Sequence, residues 1–453
     1  MRIWCSSFAL INEAGSGAVH AQPNQMVKFR KLVLILVTAL TALVNCACGT
    51  AVSGRGPGDA CALALVPHSG NASIDRGIIR LQESARTAHD PLPVLEQLGW
   101  AYVQKARASY DQGFYKLAEQ CAICIESRVP DSAGALLLRG HVLDSLHRFK
   151  EAEAIARRLS ETRGAPFDYG LLGDTLMEQG HLDEAIDAYQ KMIDLKPGPQ
   201  AYTRVAHVRW LKGDLEGAIE MMRKAATAMS PRDAESAAWA YTRLALYELQ
   251  AGSAESAERA CEIALRLQND YAPALLARSR LLLAENRNAE AAKIMQQAAH
   301  INPLPEYEWL LAEALRAAGR DDEARTVEDE LKQSGAAEDP RTLALFLATR
   351  RERLDTALNL IEQEMKTRDD VFTLDALAWA LAASGRVREA QGPMQRALAE
   401  GTKDARLLYH AGSIAAMNGQ KQEARLMLNK AAAIKQMLLP SEREELSRTL
   451  AKL

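Results

Sequence analysis

Two cysteines, Cys121 and Cys124, stand three residues apart in the run Cys121-Ala122-Ile123-Cys124. That spacing suits a dithiol redox pair or half of a zinc site. Redox pairs of this kind sit at a helix N-terminus, where the helix dipole lowers the thiol pKa. Here the pair falls inside a helix-forming stretch, so it reads as small apolar packing residues. No second cluster of Cys or His completes a zinc site. The nine histidines are scattered without an H-E-x-x-H, and no serine lies in a G-x-S-x-G. The acidic pairs Asp321-Asp322 and Asp369-Asp370 fall between helical segments, where capping or solvation is expected. Gly54-Arg55-Gly56 is too short for a phosphate loop. The expectation is therefore no catalytic residue, no metal site and no cofactor. A thiol-dependent enzyme using Cys121 and Cys124 is the distant alternative.

The elements that carry these residues are helical. Ala, Leu, Glu and Arg dominate the 453 residues, and aromatic residues are only 5%. Long alternating β-branched runs are absent. A formal net charge of −3 supplies no basic face for nucleic acid. The seven cysteines are few for this length and their spacings do not repeat, so no disulfide framework is expected.

The N-terminus reads as an export signal. From Met26 the chain runs MVKFRKLVLILVTALTALVNCAC, with Lys28, Arg30 and Lys31 ahead of an uncharged apolar core over 32–44. Thirteen residues suit a signal core better than a membrane span. Residues 1–25 resemble no targeting element, so Met26 is read as the true start within a leader over 1–48. Leu43-Val44-Asn45-Cys46 resembles the bacterial lipobox, which makes Cys46 the candidate lipidation site, although Asn45 departs from the usual small residue. Attachment to a membrane through that lipid or through the leader competes with an ordinary cleaved signal. Gly- and Pro-rich residues 49–72 read as a flexible linker, and residues 73–89 as an N-terminal helix.

Beyond them a pattern recurs. In three stretches, 171–197, 243–270 and 410–433, a small residue is followed by Gly seven positions later and by Ala five further on. Gly180 pairs in this way with Ala185, Gly252 with Ala257 and Gly419 with Ala424. Gly213 with Ala218, Gly319 with Ala324 and Gly385 with Ala390 fit the same frame. His147, Asn286 and Glu352 hold the Gly place more loosely. Gly180 and Gly213 lie 33 residues apart, and Gly385 and Gly419 lie 34 apart. Leu172-Gly173, Leu176, Gly180, Leu182, Ala185, Tyr189 and Pro197 fall on the consensus of the tetratricopeptide family, which the chain resembles over residues 90–435. The resemblance implies an all-α, right-handed superhelical solenoid. About ten helix-turn-helix units are expected, starting near 92, 133, 166, 199, 238, 272, 305, 338, 371 and 405, with a capping helix over 436–453. Three irregularities are expected: a long first helix ahead of Gly113, a helix start near Pro231, and a kink or break at Gly392-Pro393.

Within each first helix, the second, fifth, ninth and twelfth positions share a face. The resemblance makes this the concave groove. It collects Trp100, Phe167, Trp210, Trp239, Trp309, Phe346, Phe372, Trp379 and Tyr409, with His141, Asp174, Thr203, His207, Thr242, Arg280 and Glu313 interspersed. All the tryptophans except Trp4 fall there, and Trp is enriched where partners are held. The expected ligand is a protein or peptide, bound non-catalytically; tight packing between units is the competing role for each Trp. The Lys and Asn clamp by which the family holds terminal carboxylates is missing, since Gly170, Thr203 and Thr242 occupy one of its positions and Asp174 and His207 another. By analogy the setting is a bacterial cell-envelope assembly, in the periplasm or membrane-anchored. Should the leader not direct export, a cytoplasmic scaffold or regulator, or a non-catalytic subunit of an enzyme complex, is the alternative.

Overall fold

The computed structural model describes residues 57–453 apart from 231–232. The leader, its apolar core, Cys46 and Pro231 therefore lie outside the described residues, as does the linker up to residue 56. Everything described is helix, turn or loop, and no helix is long and apolar enough to cross a membrane. Two helices come first, α1 (Pro57–Ala64) and α2 (Ser73–Thr87). Five hairpins follow: α3 (Leu92–Ser109) with α4 (Gly113–Glu126), α5 (Ala133–Ser145) with α6 (Phe149–Thr162), α7 (Pro166–Glu178) with α8 (Leu182–Leu195), α9 (Pro199–Leu211) with α10 (Leu215–Ala228), and α11 (Ala234–Gln250) with α12 (Ala254–Leu267). Five more complete the array: α13 (Ala272–Ala284) with α14 (Asn288–Ile301), α15 (Pro305–Ala317) with α16 (Asp321–Glu338), α17 (Pro340–Arg350) with α18 (Leu354–Glu364), α19 (Val371–Ala383) with α20 (Val387–Leu398), and α21 (Ala405–Met417) with α22 (Lys421–Ala433). A 3-10 turn at Lys435–Met437 leads into α23 (Pro440–Lys452). The expected ten units are all present.

Packing explains the recurring residues. A Cβ placed on Gly173 would sit 2.3 Å from the Tyr189 ring, and one on Gly412 would sit 2.6 Å from Leu428. The small residue thus lets the two helices of a hairpin close up. The alanine that follows each turn is sealed: Ala185, Ala218, Ala257, Ala324, Ala390 and Ala424 are all buried. Because interiors are close-packed, Ala257→Leu or Ala390→Leu should cost about 1–3 kcal/mol. Urea melts of each variant against the wild type check this; unchanged midpoints would mean that the alanines are not wedged between helices.

The first irregularity appears as expected, since α3 runs 18 residues. α11 begins at Ala234, a turn's length after Pro231, because the Asp233 side chain accepts from the Ser236 amide and caps the helix there. α20 passes unbroken through Pro393, a correction to the expected break. Pro393 removes one amide donor, but the flanking turns of the helix keep their own bonds.

Two larger corrections concern the ends. Residues 57–64 of the expected linker form α1, which packs on α4 and is bonded to it through a Cys61–Cys124 disulfide spanning 63 residues. Cys124 is therefore not a mere packing residue, and its partner is Cys61 rather than Cys121. Cys121 stays a buried free thiol. At the other end, α23 carries the expected capping box, with Glu442 accepting from the Leu439 amide at 2.8 Å. Its first turn, however, faces inward. Glu442 is buried against Arg406 (2.6 Å), Ser441 Oγ donates to Glu313 (2.8 Å), and Arg443 donates to the Leu283 carbonyl (2.8 Å).

Those inward contacts belong to a general feature: the superhelix closes upon itself. Residues about 190 apart in sequence, between five and six hairpins, meet across a seam. Thr402 Oγ1 donates to the Leu211 carbonyl at 2.6 Å, and Lys212 Nζ to Glu400 at 2.6 Å. Arg368 pairs with Glu178, and Gln436 donates to the Gln250 carbonyl at 2.9 Å. Small rotations per hairpin add up until one superhelical turn rests on the previous one.

Candidate functional site

The inner face collects aromatic and charged side chains from successive hairpins. Each of its residues sits on the first helix of a hairpin, some directly after the small residue that sets the helix spacing, as Trp100 follows Gly99 and Asp174 follows Gly173. The face that points away from the second helix must point to the axis. The closure of the superhelix decides how much of each remains accessible.

From the fourth hairpin onward most of the expected groove residues are enclosed. Trp210 is 5% exposed; it stacks at 5.9 Å on Phe372, from the next superhelical turn, and at 5.5 Å on His207. Its indole N–H donates to Gln250 Oε1 at 2.8 Å, and Gln250 donates in turn to the Lys403 carbonyl at 2.8 Å. Trp309 meets Phe346 edge-on at 5.6 Å and lies 4.7 Å under the Arg406 guanidinium. Trp379 stacks at 4.1 Å on His410, donates to Thr349 Oγ1 at 3.1 Å, and neighbours Tyr409 at 5.7 Å. Trp239, His207, Phe346 and Tyr409 are buried as well. The open aromatic groove expected along the whole array is thus replaced, over these positions, by a packed interior. Trp100, His141 and Phe167, on the first three hairpins, keep partial exposure. Trp100 and His141 lie 5.4 Å apart, and Lys196 sits 5.4 Å from the Phe167 ring.

The charged members are held in ion pairs. Asp174 receives Arg204 through two guanidinium nitrogens and also accepts from the Tyr189 hydroxyl at 2.8 Å. Arg280 reaches Glu306 at 3.6 Å and the Met437 carbonyl at 3.4 Å. Glu313 takes Arg350 at 2.9 Å. Sequence reasoning missed Arg243, Gln250, Arg406 and His410, all of which belong to this interior. Arg243 and His410 hold the sixth position of their units, as Arg204 does, and Arg406 holds a second position. His410 meets Asp375 and Trp379 of the neighbouring hairpin, whereas Gln250 reaches the Lys403 carbonyl across the seam.

Burial drives the imidazole of His141 down to about 3, with the nearby charges of Arg107 and Arg204 adding to the effect; burial likewise holds His207 well below its ordinary value. Both are neutral in the folded chain. A depressed histidine contributes stability that is complete above its unfolded value near 6.5 and is lost as pH falls below it. Lowering the pH from 7.5 to 5.5 should therefore remove about 1 kcal/mol through His141 alone. Urea unfolding at the two pH values checks this. His141→Phe, which keeps a ring against Trp100, should show a smaller loss over that interval, and an identical loss would assign the titration elsewhere.

None of the expected chemistry-bearing groups forms a reactive constellation. Burial pushes the Cys121 thiol far above its usual range and the Cys261 thiol to about 12, so neither is a nucleophile. Asp370 caps α19 through the Phe372 and Thr373 amides, and Asp369 pairs with Arg396. Asp321 and Asp322 open α16. No group of side chains among the described residues is arranged to hold a metal ion.

Comparison with known proteins agrees with the repeat. A sequence profile described as a tetratricopeptide repeat matches residues 171–237, 276–339 and 376–436. No curated protein matches the chain. Similar solved structures include a human IFIT1 dimer with PPP-AAAA, at 14% identity and TM-score 0.46, covering 84% of this chain and 94% of that one. Yeast Tom70 is similar at 15% identity and TM-score 0.37, with 84% and 91% covered. PilF of Pseudomonas aeruginosa is similar at 16% identity and TM-score 0.38, with 44% and 90% covered.

Proposed function

Because the chain is built of tetratricopeptide repeats, whose arrays serve as protein–protein interaction scaffolds, we infer that it holds a polypeptide partner in an exported, cell-envelope assembly. The observation that carries the binding role is the stack of ten helical hairpins with an aromatic inner face. Each hairpin buries one side against its neighbours, and the first hairpins leave part of the other side open. The accessible part of that face is its N-terminal third, where Trp100, His141 and Phe167 sit ahead of the seam. A partner segment laid there meets large aromatic contact area with few rotatable bonds.

Two features support export. The leader has the charge and length pattern of a signal, and the Cys61–Cys124 disulfide suits an oxidising compartment and is rare in a reducing one. Acylation of Cys46 would tether the array to a membrane surface. A net charge of −3 supplies no electrostatic pull toward nucleic acid.

Photo-crosslinking from position 196, beside the Phe167 ring, followed by recovery from envelope fractions, tests the reading. The expected result is a discrete crosslinked polypeptide that disappears in a Trp100→Ala/Phe167→Ala variant of unchanged melting temperature. Recovery of the same species from the double variant would remove this surface from the site. Tagged protein found only in the cytosolic fraction would remove the export half of the proposal.

A further inference from the structure

Five arginines of the described chain are less than a tenth exposed: Arg107, Arg204, Arg243, Arg341 and Arg368. Four of them are matched by carboxylates: Arg107 by Glu235, Arg204 by Asp174, Arg341 by Asp370 and Arg368 by Glu178. Arg243, on α11, is the exception. Its hydrogen bonding is limited to one long contact, 3.4 Å, from Nη2 to the Tyr247 hydroxyl, and its guanidinium lies 5.2 Å from the Tyr247 ring. Its Nε is buried without an acceptor. A guanidinium cannot discharge itself by losing a proton, and an unpaired buried charge costs several kcal/mol. The ring face offsets only part of that cost.

Arg243 lines a chamber of about 160 Å³ on the superhelix axis. Trp309, a residue 3% exposed, lines the same chamber, and its indole N–H is buried without an acceptor. Arg280 stands at the wall, its own carboxylate contact stretched to 3.6 Å. The remaining wall is largely apolar, with Leu246, Leu276, Leu310, Leu345 and Phe372. The acids that reach this chamber are engaged elsewhere. Asp375 accepts from His410 at 2.9 Å, Asp404 caps α21 through the Arg406 and Leu407 amides, and Glu306 faces Arg280. The other arginines there, Arg341 and Arg406, already hold Asp370 and Glu442.

The geometry points to an axial binding site for a small carboxylate with an apolar body, whose carboxylate oxygens accept from Arg243 and Trp309 and whose body fills the leucine-lined half of the chamber. An apolar cavity of about 150 Å³ holds one benzene ring, so the size of the chamber selects a monocyclic or branched acid over a peptide. A bidentate guanidinium–carboxylate contact supplies orientation as well as charge. The site is independent of which polypeptide the outer or inner face engages, and it sits where α11, α15 and the returning α19 meet, so an occupant bridges two superhelical turns.

Benzoate is the probe, with benzamide as its neutral isostere and inorganic phosphate as an anion lacking the ring. At constant ionic strength, benzoate is expected to raise the melting temperature of the full chain in a saturable manner and to quench tryptophan fluorescence, since Trp210 and Trp309 line the chamber. Benzamide and phosphate are expected to produce at least tenfold weaker responses. Arg243→Met, which removes the unpaired charge, should melt no lower than the wild type without ligand and lose the benzoate response. Trp309→Phe should keep the fold and bind at least about fivefold more weakly. The proposal is overturned if benzoate gives no saturable response, if benzamide or phosphate matches it, or if Arg243→Met responds like the wild type. It is equally overturned if Arg243→Met melts far lower, because Arg243 would then be a structural guanidinium.

Discussion

Gly180→Ala and Gly213→Ala should destabilise the protein by about 2–5 kcal/mol, whereas Gly252→Ala and Gly319→Ala should cost about 1–2 kcal/mol. All four glycines occupy the same hairpin turn with nearly the same backbone, φ of 84°, 76°, 80° and 76° respectively. An L-residue is strained to a similar degree in each. What differs is the neighbour. A Cβ on Gly180 would lie 2.3 Å from the Asp369 carbonyl oxygen, and one on Gly213 would lie 2.4 Å from that of Gly401. Both neighbours are backbone of the next superhelical turn and cannot swing away as a side chain would. At Gly252 and Gly319 nothing lies within 4 Å. The second pair therefore measures the backbone term, and the difference between pairs measures the seam. Chemical denaturation supplies the free energies, and small-angle scattering should show expansion in the seam pair alone. Four equal losses without expansion would mean that the superhelical turns are not in contact in solution.

Breaking the Cys61–Cys124 bond should cost about 4 kcal/mol on the loop-entropy relation for a 63-residue separation. Cys61→Ser and Cys124→Ser should each lower the melting temperature of the first hairpin and render α1 susceptible to protease. Cys121→Ala, one turn away on the same helix, should not release α1, since Cys121 is unbonded. Mass mapping under non-reducing conditions should find the Cys61 and Cys124 peptides joined. A bond joining Cys121 to Cys124, or no effect of the serine variants on proteolysis, would refute the assignment.

Much of the fold was legible because its determinants are local. Gly173 must be small to admit Tyr189 within its own hairpin, and Ala185 must be small beside its immediate neighbours. Such requirements recur in every hairpin, mostly at 33 or 34 residues, so periodicity locates the repeat helices and most of their ends. The departures are equally local in cause. α11 starts at Ala234 because Asp233 supplies the cap, and α20 survives Pro393 because one missing donor does not outweigh the packing of Ala390 and Ala397.

The candidate site was only half legible. Sequence spacing put Trp210, Trp309 and Trp379 on the inner face, but not beneath Phe372, Arg406 and His410. Whether an inner face is a groove or a core depends on curvature, and curvature accumulates from a few degrees per hairpin over five or six of them. No single residue encodes that sum, so no motif announces it. The same holds for Cys61, which became a bonding partner only because α1 docks on α4. By itself, the sequence determined the repeat helices and the hairpin unit they form, since these follow from contacts between near neighbours. Only the tertiary structure decided that the axis is closed, that Arg243 is stranded within it, and that most inner aromatics beyond the first hairpins are enclosed, since these depend on residues about 190 positions apart arriving at one place.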